Sequence, residues 1–134
     1  MEFVTPKVFC IAETSVEHEE LNKYLDEIGA YKNGELWKTD APSDGEELIE
    51  VACRGCYRSW APGLNANVTR TREGNKEYIG NILNVGHGSV IEHSTVSFAF
   101  VNVSRIFTHE AVRHRTNNFS QESLRFVRLT DLKA

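Results

Sequence analysis

The sequence contains no apolar run approaching the roughly 20 residues that a membrane-crossing helix requires. Its first residues, MEFVTPKVF, lack the charged head and long apolar core of a secretory signal. The expected setting is therefore cytoplasmic, with no membrane partner. A surplus of positive charge is also missing: the 134 residues carry a formal net charge of -4, so no global attraction to nucleic acid is expected and any positive site must be local. The glycine patterns of Rossmann and Walker phosphate loops are absent, so a bound dinucleotide would have to be held by arginines and side-chain amides. Ser89 in HGSVI lacks the G-x-S-x-G elbow, which excludes that form of serine hydrolase. There are no internal repeats, low-complexity tracts or linkers. The reading is one mixed α/β domain over residues 1–134, large enough to bury roughly two-thirds of its unfolded surface.

Cysteine is sparse and odd in number, at three, which in a chain without an export signal argues for reduced thiols. Cys53 and Cys56 form a C-x-x-C. A zinc site needs two more ligands at matching spacing, and a redox dithiol should open a helix after a strand, whereas this pair sits late in a helical pattern. Helix packing is the preferred reading. Four of the five histidines lie between residues 87 and 114, yet HEAVRH has one residue too many for a zinc-protease motif. It sets His109 and His114 about 140° apart around a helix rather than about 40°. No metal is expected.

Periodicity predicts a strand in KVFCIA and a helix over 15–28 that turns Leu21, Tyr24, Leu25 and Ile28 to one side and stops at Gly29. YKNGELWKTDAPSDG is rich in turn formers and reads as a surface connection. Ser43, with Glu46 three residues later, makes a capping box for a helix running to about Ser59, with Ile49, Cys53, Cys56 and Trp60 on one face. The following segment is loop-like, with Arg70 and Arg72 read as solvated charges. A further helix is predicted over 75–85 with Tyr78, Ile79, Ile82 and Leu83 inward, ending at Gly86. Val96, Phe98 and Phe100 alternate as in a strand, and Ser104 is the N-cap candidate of a helix over 104–115.

Between Glu77 and Leu132 lysine is absent, yet arginine stands at 105, 113, 115, 125 and 128. Arginine presents a planar fork that binds phosphate or carboxylate through two parallel bonds and stacks on flat rings, which lysine does not. The competing reading is structural pairing with Glu92, Glu110 and Glu122. On the 104–115 helix Glu110 and Arg113 share a stripe, so the carboxylate orients the guanidinium. Arg115 falls at or beyond the helix end. FSQESLRF alternates, placing Gln121, Ser123 and Arg125 on one side of an extended segment, a wall of donors suited to a phosphate monoester on a flat base.

Arg113-His114-Arg115, seven residues, then Ser123 resembles the RHR-x7-S signature of the flavin-dependent thymidylate synthases. The likeness extends through HGSVIEH, Ser104-Arg105, THE before the signature, Gln121 and Arg125 within it, and ACRGCYRSW, covering about residues 46–128. What the resemblance implies is an α+β fold like that of the thymidylate synthase-complementing proteins, with a central, mostly antiparallel sheet flanked by helices. It implies reductive methylation of dUMP to dTMP, with methylenetetrahydrofolate as carbon donor, NADPH as reductant and FAD as cofactor, in a homotetramer with shared sites. It assigns Ser89, Arg113, His114, Arg115 and Gln121 to flavin, and Glu110, Arg113, Gln121, Glu122, Ser123, Leu124 and Arg125 to dUMP; no residue is assigned as a catalytic group. His87 shapes the folate or flavin pocket, or serves as a structural hydrogen-bonder. The resemblance further implies a second half, beyond residue 134, with more flavin contacts and an arginine that polarises the uracil ring. The expectation is a fragment or a chain completed by a partner. The alternatives are a non-catalytic nucleotide- or RNA-binding module and a structural half that needs its complement.

Overall fold

The computed structural model describes residues 3–127; Arg128 lies outside them. In chain order the elements are β1 (Lys7–Glu13), α1 (His18–Glu27), β2 (Tyr31–Lys32), β3 (Glu35–Leu36), α2 (Asp44–Tyr57), α3 (Asn75–Asn84), a 3-10 helix (Gly88–His93), β4 (Val96–Val101) and α4 (Arg105–Ala111). The class is α+β, with two-stranded sheets β1-β4 and β2-β3. The chain forms two compact units, residues 12–96 and residues 1–11 with 97–134.

In the 12–96 unit, α1 begins at His18, three residues later than its apolar spacing indicates, and no side chain caps its start. Its Leu25 packs with Ala30, Trp37 and Trp60 in one buried cluster. The predicted surface connection contains a hairpin instead. Tyr31 pairs with Leu36 and Lys32 with Glu35, and the turn residues Asn33 and Gly34 both have positive φ, 55° and 83°. Asn-Gly is the preferred pair for such a turn because its backbone twist matches that of the strands. The ladder continues as Trp37 N–H donates to the Ala30 carbonyl at 2.8 Å, which seats the indole in the core.

Ser43 caps α2 by accepting from Glu46 N–H and donates to the Glu46 carboxylate at 2.8 Å. The helix ends at Tyr57 rather than Ser59, because Arg58 turns left-handed with φ 48°. Ile49 and Cys53 are buried as their spacing predicts, whereas Cys56, one turn further on, is exposed. On α3, Tyr78 and Ile82 are buried but Leu83 is 57% exposed, so the inward stripe is narrower than predicted. Tyr78, Ile82 and Cys53 form the second buried cluster.

Across this unit runs a polar network fully withdrawn from water. Glu50 and Arg54 are each 1% exposed, four residues apart on α2 and 2.7 Å from each other. The second Glu50 oxygen accepts from Thr39 Oγ1 and Asn75 Nδ2, both at 2.7 Å. Arg54 donates through Nη1 to the Ser59 carbonyl at 2.8 Å and through Nη2 to the Arg72 carbonyl at 2.9 Å. Its guanidinium lies over Tyr78 at 4.1 Å and Trp37 at 5.4 Å. A buried ion pair persists when its remaining lone pairs and protons are satisfied, as they are here.

In the other unit, residues 7–11 of β1 and 97–101 of β4 run antiparallel, with Asn102 Nδ2 donating to the Thr5 carbonyl at 3.1 Å near one end. Every residue of both strands is exposed or half-buried, and Phe98, Phe100 and Phe107 form a chain of ring contacts beside α4. Ser104 caps α4, accepting from Phe107 N–H at 3.2 Å as its position predicts. The helix stops at Ala111 instead of 115.

Candidate functional site

The early end of α4 decides how the Arg-His-Arg segment is presented. Val112 is the C-cap, Arg113 N–H donates to the Glu110 carbonyl, His114 N–H to Ala111 and Asn117 N–H to His114. The triplet thus sits on successive tight turns rather than a helical stripe. Arg113 Nη1 lies 3.5 Å from Glu110 Oε1, the pairing the sequence predicts, with the two side chains 75% and 71% exposed. At that exposure the pair orients the guanidinium and adds little stability. His114 and Arg115 are exposed.

The stretch from Gln121 to Arg125 is not the alternating wall its sequence predicts. Residues 121–123 lack regular structure and 124–126 form a turn. Ser123 starts that turn: its hydroxyl oxygen accepts Arg125 N–H at 3.2 Å, and its carbonyl accepts from Phe126 and Val127. Local hydrogen bonding of serine to backbone two residues on competes well with extended structure. The acceptor side of the Ser123 hydroxyl is therefore committed and its proton remains available to a ligand. Gln121, Glu122, Leu124 and Arg125 are exposed around it.

Among the described residues no hydrogen bond or ion pair joins residues 113–115 directly to 121–125. The connection runs through Arg105, whose Nη2 donates to the Glu122 carbonyl at 2.7 Å. Arg105 on the first turn of α4 thereby fixes the residue preceding Ser123. The absence of lysine singles this arginine out, but only tertiary structure reveals its positioning role.

Ser89 belongs to the 12–96 unit, unlike the other candidates. Gly86, at φ 74°, ends α3 in the left-handed conformation that glycine adopts without strain. His87 N–H then donates to the Ile82 carbonyl at 3.1 Å, and Ser89 follows in the 3-10 helix. That helix comes close to the first turn of α2: a Cβ on Gly45 would lie 2.4 Å from Ser94 Oγ. The His87 ring is held by Tyr57, with hydroxyl to Nδ1 at 3.0 Å and the rings stacked at 5.7 Å. Tyr57 is a second positioning residue that spacing alone does not disclose.

Elsewhere, burial pushes the Cys53 thiol up, with the Tyr78 hydroxyl beside it partly opposing the shift. A thiol held protonated is a poor nucleophile or ligand, which favours the packing role for Cys53, whereas Cys56 is exposed and does not pack as expected. One group of metal-capable side chains occurs among the described residues, His18, Asp44 and Glu47, with donor atoms within 4.8 Å of one another. Asp44 already accepts Val16 N–H at 2.8 Å and Glu47 contacts His18 at 2.9 Å. No described helix is long and apolar enough to cross a membrane.

Comparison with known proteins matches residues 38–134 to the family described as thymidylate synthase complementing protein. The chain belongs to that family. It is 45% identical over 91 residues to the flavin-dependent thymidylate synthase of Mycobacterium avium (strain 104), a match covering 68% of this chain and 34% of that protein. The enzyme of the same name from Mycobacterium tuberculosis (strain ATCC 25177 / H37Ra) is 44% identical over the same length and coverage. The chain thus spans about a third of the length of the curated relatives it matches.

Proposed function

We propose that this chain contributes nucleotide- and flavin-holding residues to a synthase that reductively methylates dUMP to dTMP, with methylenetetrahydrofolate as carbon donor, NADPH as reductant and FAD as cofactor. The observations that carry the reading are the turn-mounted Arg113-His114-Arg115 segment and a Ser123 turn tied down by Arg105. The cationic donors are exposed and Ser123 is half-buried, and Arg115 and Arg125 have no ion-pair partner among the described residues. Such a donor set fits a phosphate and the polar edge of a flat ring. When bound, FAD would supply the hydride-transfer chemistry. In this reading Ser89, Arg113, His114, Arg115 and Gln121 hold the flavin, and fixed positive charge near it favours the reduced, anionic ring. Glu110, Arg113 and residues 121–125 hold dUMP, with the Ser123 hydroxyl donating to its phosphate. His87, oriented by Tyr57, lies beside Ser89 in sequence and helps shape the pocket.

The two compact units would belong to one synthase domain acting in the cytoplasm within a homotetramer that shares its sites. The exposed Phe9, Phe98 and Phe100 support association, since exposed apolar side chains of this density commonly mark interfaces. The test is a titration of the purified chain with FAD, followed by absorbance and flavin fluorescence. Saturable binding that survives moderate salt is expected. No flavin binding, together with RNA binding that collapses as salt rises, would replace this reading with the basic-module alternative.

A further inference from the structure

The 12–96 unit holds two adjoining hollows of about 470 and 590 Å³ between the β2-β3 hairpin and residues 69–73, and Ser89 lines neither. They share Lys32, Asn33, Thr71 and Glu73 as a common wall. Each falls in the size range of small-molecule sites. In a chain of net charge -4 this surface is locally positive. Lys32, Lys38, Arg70 and Arg72 face it, against Glu35 and Glu73. Lys32 is paired with Glu73 and Arg72 lies 3.6 Å from Glu77, but Lys38 and Arg70 have no ion-pair partner among the described residues. Thr69 and Thr71 add neutral hydroxyl donors to the lining.

The wall carrying these cations is fixed from inside. Arg54, fully committed to Glu50 and to the carbonyls of Ser59 and Arg72, anchors the loop at Arg72 while Trp37 and Tyr78 flank its guanidinium. A buried ion pair spent on holding one loop carbonyl preorganises that loop, which lowers the ordering cost of binding. Trp60 also lines the cleft, is 1% exposed, and has the one buried indole N–H among the described residues that finds no acceptor. A buried donor left unsatisfied is uncommon in a well-packed protein.

We infer that this pair of hollows is a binding site for a phosphate dianion, held in the second hollow by Arg70 with hydroxyl donors from Thr69 and Thr71, with Lys38 adding positive charge from the adjoining one. Its lining includes none of the residues placed above on flavin and dUMP, and the inference does not depend on those assignments. The phosphate can be free or carried as a monoester on a nucleoside; the chemistry recognised is the same.

The test titrates the full 134-residue chain with inorganic phosphate, adenosine 2′-monophosphate, uridine 5′-monophosphate and unphosphorylated adenosine. Affinity is read by calorimetry and by the two tryptophan indole N–H signals in a nitrogen-15 correlation spectrum. Each phosphate-bearing probe is expected to bind at least about tenfold more tightly than adenosine, the scale of one charge-assisted hydrogen bond, and to shift the Trp60 indole signal. Equal binding of free phosphate and the nucleotides identifies the free anion as the source; tighter binding of one nucleotide identifies a monoester. The double variant Lys38→Gln/Arg70→Gln, confined to exposed side chains, should lose at least about tenfold in affinity with an unchanged thermal midpoint. Adenosine binding as tightly as the phosphates, or full affinity in that folded variant, overturns the inference.

Discussion

Ser123 shows how a local hydrogen bond can redirect the backbone of a candidate residue. Its spacing from the Arg-His-Arg triplet singles it out in the sequence and the alternation predicts an extended segment, but its backbone begins a turn because the hydroxyl oxygen takes Arg125 N–H. A hydroxyl so engaged has its proton to give, so under the proposed function Ser123→Ala is expected to remove one charge-assisted bond to the dUMP phosphate. Measured calorimetrically, the dUMP dissociation constant should rise roughly ten- to a hundredfold while flavin remains bound. A covalent adduct on Ser123 would contradict that role. Arg115, exposed on its turn, should behave oppositely: Arg115→Ala lowers FAD occupancy and leaves the thermal midpoint within experimental scatter. Full occupancy with a large loss of stability would make it a structural residue.

Two further side chains tie burial to pH. Burial raises the Tyr78 hydroxyl well above its ordinary value of 10.0, and the Cys53 thiol beside it adds to the shift; burial likewise raises Cys53 above 9.0. Both groups keep their protons longer in the folded state than in the unfolded one. Their contribution is complete below those ordinary values and is lost as pH rises beyond them, because the unfolded chain then binds fewer protons. Urea denaturation between pH 8 and 11 should show stability falling above about pH 9, and more gently in Tyr78→Phe than in the parent. Parallel curves would remove Tyr78 from the account.

At the scale of elements, the least legible feature is the Glu50–Arg54 pair on α2. An i, i+4 Glu-Arg spacing ordinarily reads as a solvated helix face. It is buried because Thr39, Asn75 and two loop carbonyls converge on it from three other segments. Removing one partner strands the other charge in the core, so Arg54→Ala is expected to cost about 3–5 kcal/mol in chemical denaturation. The removal of both charges in Glu50→Gln/Arg54→Met should cost less than the two single losses added together. The N-caps at Ser43 and Ser104 were legible, since capping depends on residues only three apart. The end of α4 was not, because apolar spacing continues past Ala111 while the turns after it depend on Asn117 and the Thr-Asn-Asn run.

At the scale of the whole molecule, the candidate residues are held in place but lie open to water. Arg113 is 75% exposed, and charge aimed at a reacting ring acts strongly only where solvent is excluded. The 134-residue chain is therefore expected to bind nucleotide or flavin without forming dTMP at a useful rate, as judged by chromatography of the nucleotide products. Robust turnover by the pure chain would show that these residues enclose a working site unaided. The relatives' greater length points to the natural experiment, in which a full-length homologue is assayed beside this chain.

What the sequence determined by itself were those features set by neighbours along the chain: the strands β1 and β4, the existence of the four α-helices, two serine caps, the Glu110–Arg113 pair, and the family to which the signature belongs. Local propensity and short-range spacing carry that information directly. Tertiary structure alone decided that Arg105 secures Ser123's neighbour, that Tyr57 holds His87, and that Arg54 lies buried beneath a positive cleft. Each of those depends on groups from segments distant in sequence meeting within hydrogen-bond reach, and a favourable partner for a guanidinium or an imidazole can come from any such segment. Only the packed fold selects which one arrives.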